Sequence, residues 1–156
     1  MAAEIGKPAP AFTLPGSNNT DDGRRDYALA DYRGQVLVLV FYPGDSTPVC
    51  TRQLNAYTGD IDSFTAVGAQ VLAISPQSVA SHDEFSCKQG GFAFPLLADT
   101  DKAVGEAYGI LGPLGFYRRS AFVVDPEGIV RYAHKAVAGL TFRSTKELVA
   151  AVQAAS

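Results

Sequence analysis

The stretch "VLVLVFYPGDSTPVC", Val36 to Cys50, decides the fold. Val36 to Tyr42 is an unbroken apolar run rich in β-branched residues. Such a run predicts a central strand covered on both faces, as in a parallel or mixed sheet. "PGDSTP" then supplies turn chemistry. Thr47 is placed as an N-cap and Pro48 suits the first position of a helix. Leu54, Tyr57, Ile61, Phe64 and Val67 follow at helical spacing, and Gly68 is placed to end the helix. "AQVLAIS" (69–75) reads as the next strand, which makes a βαβ unit with parallel strands and a right-handed crossover.

On the N-terminal side lie short extended pieces such as "AFTLP" and a polar stretch, "GSNNTDDGRRD" (16–26), that reads as an exposed loop. On the C-terminal side, 78–91 reads as a helix closed by glycines and 94–99 as an extended piece. Residues 102–110 read as a helix weakened by Gly105. "SAFVVD" (120–125), "PEG" and "IVRYAHKA" (129–136) predict a hairpin. A last helix covers 144–155, with Ser144 or Thr145 capping it and Glu147 placed for a capping box. The sum is an α/β chain with a mixed central sheet flanked by helices, compatible with a thioredoxin-like fold.

Composition narrows the function. The 156 residues fit a single domain, 1–156, and nearly half of them are apolar. A net charge of −3 without a dense Lys/Arg cluster gives nucleic-acid binding no support. The apolar run from Val36 is far too short to span a bilayer, and "MAAEIGKPAPAF" lacks a signal pattern, so a cytosolic protein is expected, with no membrane association. Two cysteines and two histidines, with no CxxC or HxxxH spacing, do not make a metal site, and no cofactor is expected. In such a chain the cysteines are either inert core residues or redox-active ones.

Position separates these readings for Cys50. It falls in the first turn of the predicted helix, at the carboxyl end of a central strand, where open α/β sheets place their sites. The unpaired N–H groups and positive dipole end there favour a thiolate over a thiol. The Cys50 pKa is therefore expected below the free value of about 8.5. The entering turn is expected to leave the residue partly accessible. A nucleophile is the better reading than a small apolar filler.

These residues resemble the peroxiredoxin family. "FYPGDSTPVC" matches its proline–x3–threonine–x2–cysteine signature, with Pro43, Thr47 and Cys50 in the three places. "IGKPAPAFTLP", "VLAISPQSVASHDEF", "FAFPLLADTDKAVGEAYGI" and "RRSAFVVDPEGIV" resemble successive parts of the family, so the likeness spans nearly the whole chain. The bacterioferritin comigratory protein, or peroxiredoxin Q, type is the most similar subgroup. The resemblance implies a thioredoxin-fold thiol peroxidase acting on hydrogen peroxide and organic hydroperoxides. It implies recycling by thioredoxin or a similar dithiol reductant, in a monomer or homodimer. Cys50 would be the peroxidatic nucleophile. Thr47 would place its hydroxyl on the peroxide and sulfur. Pro43 would shape the loop and shield the thiolate. Arg119 would hold the thiolate and the charge developing on oxygen. Arg118 reads as a solvated neighbour.

Many members of that subgroup carry a resolving cysteine five residues after the peroxidatic one, where this chain has Asn55. Cys87 is the remaining candidate. It lies off the Val79–His82–Phe85 stripe of its helix and is expected to be partly exposed. Some members resemble this arrangement, which implies a Cys50–Cys87 disulfide formed after local unwinding. The alternatives are a one-cysteine peroxidase using an external thiol and a thiol–disulfide oxidoreductase. Gln53, three residues after Cys50, argues against the latter. A non-catalytic binding module is a further alternative, against which the Pro43–Thr47–Cys50–Arg119 set argues. His82 reads as a satisfied packing residue and His134 as a solvent-facing strand residue, neither needed for the chemistry.

Overall fold

The computed structural model describes residues 3–17, 24–112, 115–135 and 142–155. The strands are β1 (Thr13–Ser17), β2 (Arg25–Ala28), β3 (Val36–Phe41), β4 (Ala69–Ser75), β5 (Leu96–Ala98), β6 (Ser120–Val124) and β7 (Val130–Lys135). The helices are α1 (Pro48–Gly59), α2 (Ile61–Ala66), α3 (Val79–Lys88), α4 (Ala103–Ala107) and α5 (Thr145–Ala155). The described strands form one mixed sheet in the order β2-β1-β5-β4-β3-β6-β7. β3 pairs parallel with β4, and β4 with β5, while β6 runs antiparallel to β3 and forms the hairpin with β7.

β3 is buried along its whole length. Leu37, Leu39 and Phe41 enter one core with Phe12, Val104, Tyr108 and Phe122. Val36, Val38, Val40 and Tyr42 enter the other with Leu54, Tyr57, Phe64, Phe85 and Leu148. The period-2 alternation of a strand thus feeds two cores at once, which is why the run is apolar at every position.

Four local expectations are corrected. The helix from Pro48 breaks into α1 and α2 at Asp60, whose Oδ2 accepts a 2.8 Å hydrogen bond from the Thr145 hydroxyl. The break lies in the backbone of Asp60, at φ −102° and ψ 16°, outside helical values. The polar stretch 16–26 is shorter than a loop reading implies, because Gly16 and Ser17 belong to β1 and Arg25 and Asp26 to β2. Residues 18–23 between them lie outside the described residues. α4 is limited to five residues, and its Gly105 is there for space: a Cβ would stand 2.6 Å from the Tyr117 ring. At α5, the Glu147 N–H donates to the Ser144 hydroxyl at 3.2 Å, but the Glu147 carboxylate goes to Tyr132 and Arg143 rather than completing a capping box.

Candidate active site

The loop 42–47 joins the carboxyl end of β3 to the first turn of α1. Pro48 occupies the start of α1, which leaves Cys50 in that turn and directed into the core. None of Cys50 is exposed, against the expectation of a partly accessible thiol. It belongs to one buried cluster with Leu54 of its own helix, Tyr42 at the end of β3 and Phe85 of α3. Sequence order alone does not bring them there.

Thr47 stands at the N-cap with φ −82° and ψ 149°, but its side chain does not cap the helix. Its hydroxyl donates instead to the Gly44 carbonyl at 2.9 Å. This corrects the capping expectation and leaves the oxygen lone pairs available. Pro43 is half-buried in the same loop. Ser46 is held at φ +61°, in the left-handed region that costs a non-glycine residue about 1–2 kcal/mol.

Arg119 is not a solvated strand-edge charge. It is 4% exposed, immediately before β6, and its guanidinium donates to Gln53 Oε1 at 2.6 Å. Gln53 is buried one turn beyond Cys50 on α1, so the guanidinium lies along the Cys50 side of that helix. The antiparallel pairing of Phe41 with Ser120 sets this placement. Arg118 is exposed, as expected. Tyr57, a further turn along, donates to the Arg143 carbonyl, and burial pushes its hydroxyl pKa up to about 12, so it stays neutral. The sequence reading named Tyr57 only as part of the apolar stripe and Gln53 only against a dithiol motif, although their spacing from Cys50 of three and seven residues is that of one helix face.

A second group buttresses the loop from behind. The Tyr42 hydroxyl donates to Asp45 Oδ1 at 2.7 Å. Asp45 Oδ2 accepts from the Ser81 hydroxyl at 2.7 Å and lies 2.8 Å from His82 Nδ1. His82 Nε2 lies 2.9 Å from the Leu97 carbonyl. Burial alone would push the Asp45 carboxyl up; hydrogen bonds from His82, Tyr42 and Ser81 outweigh that and hold it below its ordinary value. Burial, and then the adjacent Asp45 charge, raises Tyr42 well above the usual phenol range. His82 is buried and satisfied, as its place on the helix stripe predicts. His134 is half-buried on β7 rather than facing solvent freely, and burial lowers its pKa.

Cys87 sits in the last turn of α3, exposed and free, as its position on the helix wheel predicts. Cys50 is also free. At Asn55, the amide donates to Gln89 Oε1 at 3.0 Å, linking α1 to the end of the Cys87 helix. Pro43, Thr47, Cys50 and Arg119 therefore converge around the start of α1, while Cys87 stands apart from them at the surface. Among the described residues, no group of three or more His, Cys, Asp or Glu side chains is placed to hold a metal ion.

A mixed sheet with a buried thiol at the head of the helix after its central strand defines a thioredoxin-like thiol protein. The sequence model of the AhpC/TSA family matches residues 5–133, and the chain belongs to that family. It is similar to peroxiredoxin Bcp of Xanthomonas campestris, with 39% identity over 83% of each chain. A putative peroxiredoxin of the rubredoxin operon of Clostridium pasteurianum is 36% identical over 85% of this chain and 79% of the relative. Among solved structures, the mitochondrial 2-Cys peroxiredoxin from Plasmodium falciparum superposes with a TM-score of 0.86 at 26% identity, covering 97% of this chain and 93% of that one. AhpC of Mycobacterium tuberculosis, at 24% identity and TM-score 0.88 over 99% and 93% of the two chains, shares the fold. The protein is a thiol-dependent peroxidase of the peroxiredoxin type, acting on peroxide with a thiol reductant.

Proposed function

We propose that Cys50 is the peroxidatic thiol, that Cys87 resolves it, and that residues 1–156 act as one such domain. The observation that carries this reading is the burial of Cys50 in the first turn of α1, with the Arg119 guanidinium held against the same helix through Gln53. A helix N-terminus and a fixed cation both favour an anion at that place.

The Cys50 thiolate attacks one oxygen of the peroxide. An S–O bond forms, the O–O bond breaks, and water or an alcohol leaves once protonated; the sulfur is oxidised by two electrons. The Thr47 hydroxyl gives its proton to Gly44, so toward the peroxide it acts as acceptor for the substrate O–H. Arg119 holds the negative charge as it moves from sulfur to the leaving oxygen. Pro43 roofs the loop. The Cys87 sulfur then attacks the sulfenic sulfur, the hydroxyl departs as water, and an S–S bond closes. Thioredoxin or a similar dithiol reduces it by exchange. No helix among the described residues is long and apolar enough to cross a membrane, and a cytosolic protein, monomeric or homodimeric, fits the chemistry.

Stopped-flow mixing of reduced protein with hydrogen peroxide, followed by intact mass, tests the scheme. A loss of two hydrogens with a Cys50–Cys87 crosslinked peptide is expected. A gain of one oxygen at Cys50 that persists without an added thiol favours the one-cysteine reading, which the separation of a buried Cys50 from an exposed Cys87 supports. No change at Cys50 at all would refute both.

A further inference from the structure

His82 has no part in the proposed peroxidase chemistry, yet it is tied to two other segments behind the loop. Both of its ring nitrogens face oxygen atoms, Nδ1 the Asp45 carboxylate and Nε2 the Leu97 carbonyl. It joins three pieces of the fold. Asp45 lies inside the Pro43–Thr47 loop, Leu97 lies in β5, and His82 itself lies on α3, five residues before Cys87. Neither partner of the Asp45–His82 pair is open to water: their side chains are 4% and 0% exposed.

The loop it holds is under strain and needs holding. Ser46 sits next to Asp45 in a left-handed conformation that a free chain would abandon. The Asp45 N–H is tied as well, donating to Gln77 Oε1 at 3.0 Å. Tyr42 and Ser81 add two more donors to the Asp45 carboxylate, one from the end of β3 and one from α3. The carboxylate therefore collects bonds from both sides of the gap between the two cysteine-bearing segments.

We propose that Asp45 and His82 form a buried clamp that holds the Cys50 loop closed for reaction with peroxide, and whose opening releases that loop toward Cys87. The closed loop keeps Thr47, Arg119 and the start of α1 arrayed around the sulfur. The open loop unwinds the first turn of α1 and relieves Ser46. Disulfide closure needs the two sulfurs in bonding contact, so the wholly buried Cys50 side chain has to leave its cluster to meet the exposed Cys87. Asp45 and His82 are thus positioning residues acting through the loop. The resolving half of this inference rests on Cys87 having the role proposed above; the closing half does not.

The test uses the full chain in a Cys87→Ser background, where only the Cys50 thiol reports. Asp45→Asn keeps the shape and removes the charge; Ser81→Ala, the milder variant, removes one of the carboxylate's donors. Three quantities are read: iodoacetamide alkylation of Cys50, amide hydrogen exchange along the chain, and the second-order rate with hydrogen peroxide. For Asp45→Asn, alkylation and exchange of the 45–51 amides rise about tenfold, the peroxide rate falls about tenfold, and exchange in β3, β4 and β6 is unchanged. Ser81→Ala moves each quantity the same way by about two- to threefold. In protein that retains Cys87, Asp45→Asn speeds disulfide formation after the sulfenic acid has formed. Unchanged alkylation and loop exchange, a rise in exchange that spreads evenly through the sheet, or a peroxide rate that holds or increases would each overturn the clamp. Wild-type protein that forms no Cys50–Cys87 disulfide would remove the resolving role alone, and the background experiment would still decide the closed state.

Discussion

The two cysteines occupy opposite situations. Cys50 is wholly buried in the first turn of α1, in a cluster of aromatic and aliphatic side chains, with the Arg119 guanidinium paired to Gln53 one turn along the same helix. Cys87 is exposed in the last turn of α3, beside Lys88 and the glycine-rich end of the helix. In the proposed scheme this difference separates two demands on sulfur. A thiol that must meet a small oxidant in one geometry is fixed by everything around it. A thiol that must travel, or be travelled to, is left on a surface where little has to be broken. Burial makes the first step selective; exposure makes the second step reachable.

The hardest way to break this contrast is at the sulfur. Cys50→Ser is expected to abolish peroxide consumption, by at least about a thousandfold in stopped-flow, because the hydroxyl is not ionised near neutral pH. Cys87→Ser is expected to stop the reaction at the Cys50 sulfenic acid, seen as a gain of one oxygen by intact mass. Next comes the wall. Arg119→Met keeps the volume and removes the charge, and the second-order rate is expected to fall about a hundredfold, or about 2.7 kcal/mol of transition-state stabilisation. Equal rates for Arg119→Met and wild type would reduce the guanidinium to packing.

Smaller effects sharpen the comparison through the loop. The Asp45 carboxyl is held below its ordinary value in the folded chain, so the stability it contributes is present above the unfolded pKa and is lost as pH falls through the folded one. Asp45→Asn lacks that acid-labile part. Its unfolding free energy, from urea melts, is expected to fall less than that of wild type between about pH 5 and pH 2. A wild-type and variant pair with parallel acid limbs would show that the carboxylate is not stabilised by its partners. The smallest change is Ser46→Gly. Glycine accepts the left-handed backbone but gains more freedom when unfolded, so a net stabilisation of about 0.5 kcal/mol is expected in urea melts. A loss of stability would mean that the Ser46 side chain contributes more than its backbone costs.

Much of the fold was legible because its signals are local. Seven apolar residues from Val36 announce a doubly covered strand, and Pro48 with the stripe through Leu54 and Tyr57 announces the helix after it. The exposure of Cys87 followed from its angle on α3. What was not legible is non-local. The complete burial of Cys50 depends on side chains delivered by other strands and helices. The Gln53–Arg119 bond spans 66 residues and the Asp45–His82 pair 37. Asp45 looks like a turn residue and His82 like core filler until the fold places them together. The helix break at Asp60 was hidden as well, since the apolar stripe through Ile61 and Phe64 runs on across it. Thr47 shows a subtler limit: its sequence position suits a cap, and the structure uses the position while aiming the hydroxyl elsewhere.

The sealed setting of Cys50 carries one more consequence. Oxidants compete for this sulfur by their ability to pass a doorway before their reactivity counts. In the proposed scheme entry takes side-chain motion with the loop still closed, so bulky hydroperoxides are expected to react more slowly than hydrogen peroxide, penalised by their girth.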